Sequence, residues 1–130
     1  MNTVLICLTI AIALPIVLAF SSLKFRVSQF GKPDIRAPRA QADQLEGAGH
    51  RVVAAQQNAW EALIMYGSAL VLVQLAGVAP ATIATVSVVF IVARISHAIF
   101  YVADMASLRF VSFTIGFGAI VWIIVQAFYA

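Results

Sequence analysis

The sequence predicts an all-α integral membrane protein built as a bundle of four transmembrane helices. Three observations predict it. Of the 130 residues, 63% are hydrophobic and only 10% are charged, against about 25% charged in an average soluble chain, which leaves too little polar surface to cover a soluble domain. The charges are also clustered: six of the eight Lys and Arg residues lie between Lys24 and Arg51. The rest of the chain divides into charge-poor stretches, each close to the ~20 residues a helix needs to cross the hydrocarbon layer. The same composition excludes a disordered chain, a disulfide scaffold (Cys7 is the single cysteine) and a classical nucleic-acid binder.

The first span is expected over about residues 3–23, because no charged side chain occurs from Thr3 to Leu23. Pro15 lies inside it, where a neighbouring helix accommodates a kink. No Lys or Arg precedes the apolar run, so it reads as a span and not as a signal peptide. Residues 24–50 contain Gly31, Pro33, Pro38, Gly47 and Gly49 and predict a loop with little long helix. The charge-free run from Ala62 to Ala93 is too long for one crossing, and the sequence GVAP at Gly77–Pro80 breaks it. Spans two and three are therefore expected at about 51–76 and 80–103. Asp104 to Arg109 forms a polar turn, and 110–130 is the fourth span. Together these make one four-helix domain over residues 1–130.

An even number of spans puts both termini on one side. The positive-inside rule makes loop 24–50 and the 104–109 turn cytoplasmic, with both termini outside the cytoplasm. Lys24, Lys32, Arg36 and Arg39 are thereby explained as topology determinants and lipid-headgroup contacts. Cys7, in mid-span, reads as a small apolar filler.

Polar residues within the apolar helices are the candidates for function. Span two carries Arg51, Gln56, Gln57, Asn58 and Glu61, and span three carries Arg94, His97 and Tyr101. A charged group at a helix centre costs about 2.5–3.5 kcal/mol on insertion scales, so each must face protein, water or a ligand. At about 100° per residue, Arg51, Asn58 and Glu61 share one stripe, and Arg94, His97 and Tyr101 share another at i, i+3, i+7. Two polar stripes near the cytoplasmic face, one holding a carboxylate and both a guanidinium, imply a site between helices. The structural alternative is that Glu61 neutralises Arg94 or Arg51 and Asn58 fixes helix packing. Gln56 points to a different face of span two, so this helix is expected at the centre of an oligomer. No metal site is expected, since no second His or Cys stands at ligand spacing from His97, and no nucleotide or Ser-His-Asp motif occurs.

The segments AAQQNAWEAL (Ala54–Leu63) and VARISHAIFYVADMASLR (Val92–Arg109) resemble the MAPEG family, the membrane-associated proteins in eicosanoid and glutathione metabolism. The resemblance covers spans two to four and extends to chain length, helix pattern and the basic first loop. It implies a homotrimer of four-helix protomers binding glutathione, as co-substrate, between subunits near the cytoplasmic side. By position, Gln56, Asn58 and Glu61 would be span-two contacts, with Glu61 receiving the glutathione amino group. Arg94, His97 and Tyr101 would be span-three contacts. Arg109 matches the arginine that stabilises the thiolate, which makes it the catalytic candidate. The family's arginine four residues before the asparagine is Ala54 here, with Arg51 one turn earlier either as its substitute or as a topology charge alone, and the aromatic after the glutamate is Ala62. These departures fit a bacterial branch and an inner-membrane location. The implied activity is that of a transferase or peroxidase acting on lipophilic electrophiles. The competing reading is a non-catalytic accessory or structural subunit of a larger membrane complex that keeps the fold. A small four-helix exporter is disfavoured because the first span carries no acidic residue.

Overall fold

A computed structural model describes residues 2–130 of the protein. They form α1 (Asn2–Phe30), α2 (Pro38–Asp43), α3 (Gly47–Leu75), α4 (Pro80–Val102) and α5 (Ala106–Phe128). Helix accounts for 85% of the chain, and no strand occurs among the described residues. Among the described residues three helices are long and apolar enough to cross a membrane: α1 over Thr3–Phe30, α4 and α5. The 29-residue α3 is as long as α1 but less apolar, because Arg51, Gln56, Gln57, Asn58 and Glu61 fall in its first half.

Three boundaries differ from the sequence expectation, one of them the start of α5, which begins at Ala106 and takes Ala106–Arg109 of the expected polar turn into its first helical turn. The segment after residue 23 is not loop but the last two turns of α1, since a charged residue does not by itself end a helix. The first residue able to end it is Gly31, which takes φ +81 and donates its N–H to Val27 O at 2.9 Å. The α1 extension places Phe25 and Phe30 against Ala42, Leu45 and Val53. It also sets Arg26 and Gln29 beside the connecting segment, which they bind through Pro38 O (2.6 Å), Gln44 O (2.9 Å) and Glu46 N–H (3.0 Å). At its other end the loop stops early, with α3 starting at Gly47. Within the loop, the N–H groups of Ala37 and Arg36 donate to Asp34 Oδ1 at 3.0 and 2.8 Å and hold its carboxyl below the usual range.

α3 and α4 form the centre of the bundle, each packing on α1 and α5 as well as on the other. Small residues on α3 (Ala55, Ala59, Ala62, Ala69), all buried, let its neighbours approach closely. The largest apolar cluster joins all four long helices in the half away from the loop and is centred on Tyr66 stacked on Phe90, ring centroids 4.3 Å apart. The loop-side half has a smaller cluster, Leu18, Ala55, Ala59 and Ala98. The polar stripes lie in that thinner half.

Helices α3 and α4 end with the same closure. Val78 N–H donates to Val73 O (3.0 Å) and Gly77 N–H to Gln74 O (3.2 Å); Met105 N–H donates to Phe100 O (2.9 Å) and Asp104 N–H to Tyr101 O (3.2 Å). This Schellman arrangement puts one residue into left-handed backbone. In α3 that residue is Gly77 at φ +76, and in α4 it is Asp104 at φ +61.

Candidate functional site

The two polar stripes meet across the α3–α4 contact. Arg94 is only 4% exposed. Its Nη2 donates to Asn58 Oδ1, to Asn58 O at 3.5 Å and to His97 Nδ1 at 3.4 Å. On the far side of Asn58, its Nδ2 lies 3.5 Å from Glu61 Oε2. One amide thus links a buried guanidinium to a carboxylate, its oxygen turned to the cation and its nitrogen to the anion.

The chain of contacts continues toward the α4–α5 turn. His97, 3% exposed, meets Tyr101 edge-on at 5.6 Å and Phe113 at 6.1 Å. The Arg109 guanidinium lies 4.3 Å over the Tyr101 ring, a cation–π geometry. Glu61, Asn58, Arg94, His97, Tyr101 and Arg109 therefore form one continuous strip across α3, α4 and α5. Its buried middle is Arg94 and His97. Glu61 is exposed on the surface of the chain, on the same α3 face as Gln57, Trp60 and Ile64.

Neither ion pair of the structural alternative forms among the described residues. Arg94 reaches Glu61 only through Asn58, and Arg51 pairs elsewhere. Arg94 Nε is buried without a hydrogen-bond partner. A network serving packing alone would place the carboxylate against the guanidinium, because a buried charge left unpaired is costly. Here the carboxylate faces outward instead, while the other half of that alternative, a hydrogen bond to Asn58 that joins α3 to α4, does form.

Two of the sequence candidates lie apart from this strip. Gln56 lines a hollow of about 330 Å³ between α1 and the loop, together with Ser22, Arg26, Asp34 and Ile35. Arg51 binds the end of α4. Conversely, sequence reasoning did not single out Gly116 of α5, although a Cβ there would come within 3.2 Å of Arg94 Cδ. The available signal was a glycine in an uninterrupted apolar helix, which marks close approach of a neighbour. Gly116→Val is expected to displace Arg94 and destabilise the protein by about 1–3 kcal/mol, the usual range for overpacking. Gly118→Val serves as the control, because its Cβ meets nothing within 4 Å. The comparison is read as thermal unfolding midpoints in detergent, with a drop expected only for Gly116→Val.

Long apolar helices joined by a buried guanidinium–amide–carboxylate strip define an integral membrane protein with a polar cluster between its helices. Residues 4–129 match the family model described as "MAPEG family". The chain belongs to the MAPEG family, a membrane family of eicosanoid and glutathione metabolism. No curated protein and no solved structure matches it significantly.

Proposed function

We propose that the protein is a homotrimeric, membrane-bound glutathione transferase or peroxidase acting on lipophilic electrophiles. The observation that carries this reading is the Arg94–Asn58–Glu61 relay, with its guanidinium buried and its carboxylate turned outward. Glutathione has two carboxylates and one ammonium, so it needs several bases and one acid. Glu61 receives the ammonium, and Asn58, held by Arg94, presents its amide beside it. Arg109, stacked on Tyr101, stabilises the thiolate and lowers the thiol pKa from about 8.5 by favouring the charged form. The thiolate then attacks an electrophilic carbon or peroxide oxygen, displacing the leaving group, with rate gained from thiolate stabilisation and proximity.

Several features support an assembly around α3. A carboxylate exposed midway along a membrane helix must face protein or water. The Gln56–Arg26 hollow opens on another side of α3, so a neighbouring copy brings Gln56 and Arg26 toward the Glu61 strip. In this reading the whole chain is one domain and α3 is a fourth span, sharing the bundle with α1, α4 and α5. Loop 24–50 lies in the cytoplasm, both termini lie outside it, and the membrane is a bacterial inner membrane. His97 holds Arg94, and the lipophilic substrate arrives from the bilayer.

One observation favours the accessory-subunit reading. Ala62 is buried in the core and Ala54 offers no guanidinium, so two family contacts are missing. A thermal-shift measurement on detergent-purified trimer decides between the two. At a glutathione concentration of about 100 Kd, stabilisation of about 2.7 kcal/mol is expected, together with thiolate absorbance, and Glu61→Gln removes both. A folded trimer that shows no shift at millimolar glutathione overturns the enzyme reading.

A further inference from the structure

Arg51 belongs to the polar stripe of α3 by sequence, yet its side chain turns to the end of α4. Its Nε–H donates to Val102 O at 3.1 Å, and its Nη1 lies 3.9 Å from Asp104 Oδ2. Val102 supplies one of the carbonyls that a helix end leaves without an intrahelical donor. Asp104 holds the left-handed position of the α4 closure, at φ +61. The equivalent position at the end of α3 is filled by Gly77, which adopts that backbone without strain. Glycine would suit the α4 turn equally well as backbone. What aspartate adds is a carboxylate facing Arg51.

The turn held in this way lies between two members of the polar strip. Tyr101 O accepts the Asp104 N–H, and Arg109 N–H donates to Met105 O at 2.9 Å in the first turn of α5. The Arg109–Tyr101 stack therefore bridges the closure, and its position relative to Asn58 and Glu61 depends on how the turn is fixed to α3. Arg51 is the side chain from α3 that fixes it.

We propose that Arg51 and Asp104 are positioning residues. They act as a clasp that registers the α4–α5 turn, and with it Arg109 over Tyr101, against the α3 residues Asn58 and Glu61. The functional meaning of the clasp rests on the glutathione reading. The ion pair is long and its carboxylate side chain is 71% exposed, and such pairs add little stability. Its effect is on geometry, where a shift of about 1 Å can cost up to about 100-fold in rate. The plain structural alternative is that Arg51 only caps α4, a cation beside the negative end of a helix.

The test uses the full-length protein in detergent, comparing Arg51→Ala, Asp104→Asn and the double variant. Asparagine tolerates left-handed backbone, so Asp104→Asn removes the charge and leaves the turn able to form. Hydrogen exchange of amides 103–109 is first followed without any thiol. Arg51→Ala is expected to speed it about tenfold and Asp104→Asn about threefold, with the double variant no faster than Arg51→Ala, as for two groups acting as one unit. Unchanged exchange in Arg51→Ala, or fully additive effects, overturns the clasp. The ionisation of bound glutathione is then titrated by thiolate absorbance. Arg51→Ala is expected to raise its midpoint by about half a pH unit, because the Arg109 charge is less well placed, and to lower kcat about fivefold with KM for glutathione within about twofold. Faster exchange with an unmoved midpoint and kcat reduces Arg51 to a cap and overturns positioning. If wild-type protein binds no glutathione, the glutathione reading fails, and the exchange result alone upholds or overturns the clasp.

Discussion

Arg94→Leu is expected to abolish glutathione-dependent turnover, by about 100-fold or more, while leaving the unfolding midpoint unchanged or raised. The two halves of this prediction have separate causes. Arg94 is 4% exposed, its Nε has no partner, and its acceptors are an amide oxygen, a backbone carbonyl and an imidazole. No carboxylate touches it among the described residues, so desolvation of the guanidinium is not offset by a contact ion pair. Replacing a buried charge by an apolar group of similar reach is often neutral or stabilising. A leucine side chain in this place would face Ala59, Ala62, Leu63 and Phe90, which already line that side of the Arg94 stem. Binding, by contrast, loses the group that orients Asn58. Turnover of an aromatic electrophile and thermal unfolding, measured on the same preparation, check both halves. An inactive protein that is also strongly destabilised would mean that Arg94 serves the fold.

The all-helical class was legible in the sequence because long charge-poor stretches announce themselves, although among the described residues only α1, α4 and α5 are apolar enough to cross a membrane and the short α2 was not foreseen. The α4 start at Pro80 follows directly from the break at Gly77. The end of α1 was not legible. Lys24 and Arg26 look like the start of a loop, but helix termination depends on backbone conformation, and the left-handed Gly31 supplies it. In the site, the i, i+3, i+7 spacing correctly placed Arg94, His97 and Tyr101 on one face, since that follows from helix geometry alone. The same argument placed Arg51 with Asn58 and Glu61. A stripe fixes only the direction of Cβ, whereas a long arginine side chain can turn aside to a neighbouring helix, and Val102 O and Asp104 capture it. Gly116 stayed hidden because its contribution is space for Arg94, and space is a property of the pair of helices.

Asn58→Leu is expected to be inactive and also destabilised, by about 1.5–3 kcal/mol, the usual worth of a hydrogen bond to a charged group. The change removes the Asn58 Oδ1 acceptor and leaves the Arg94 guanidinium buried with a backbone carbonyl and His97 alone. The double variant Asn58→Leu, Arg94→Leu is expected to recover the stability without recovering activity, because the unpaired cation is gone while Glu61 has lost the amide beside it. Strong non-additivity in unfolding free energy, with flat loss in activity, is the signature of a polar relay kept for its chemistry. Additive stability losses would assign Asn58 to packing between α3 and α4. The pair also separates the two roles of Asn58, since its amide oxygen serves Arg94 and its amide nitrogen serves Glu61. Asn58→Asp keeps an acceptor for the guanidinium and removes the donor to Glu61, so it should hold the fold while repelling the carboxylate proposed to receive the ammonium of glutathione.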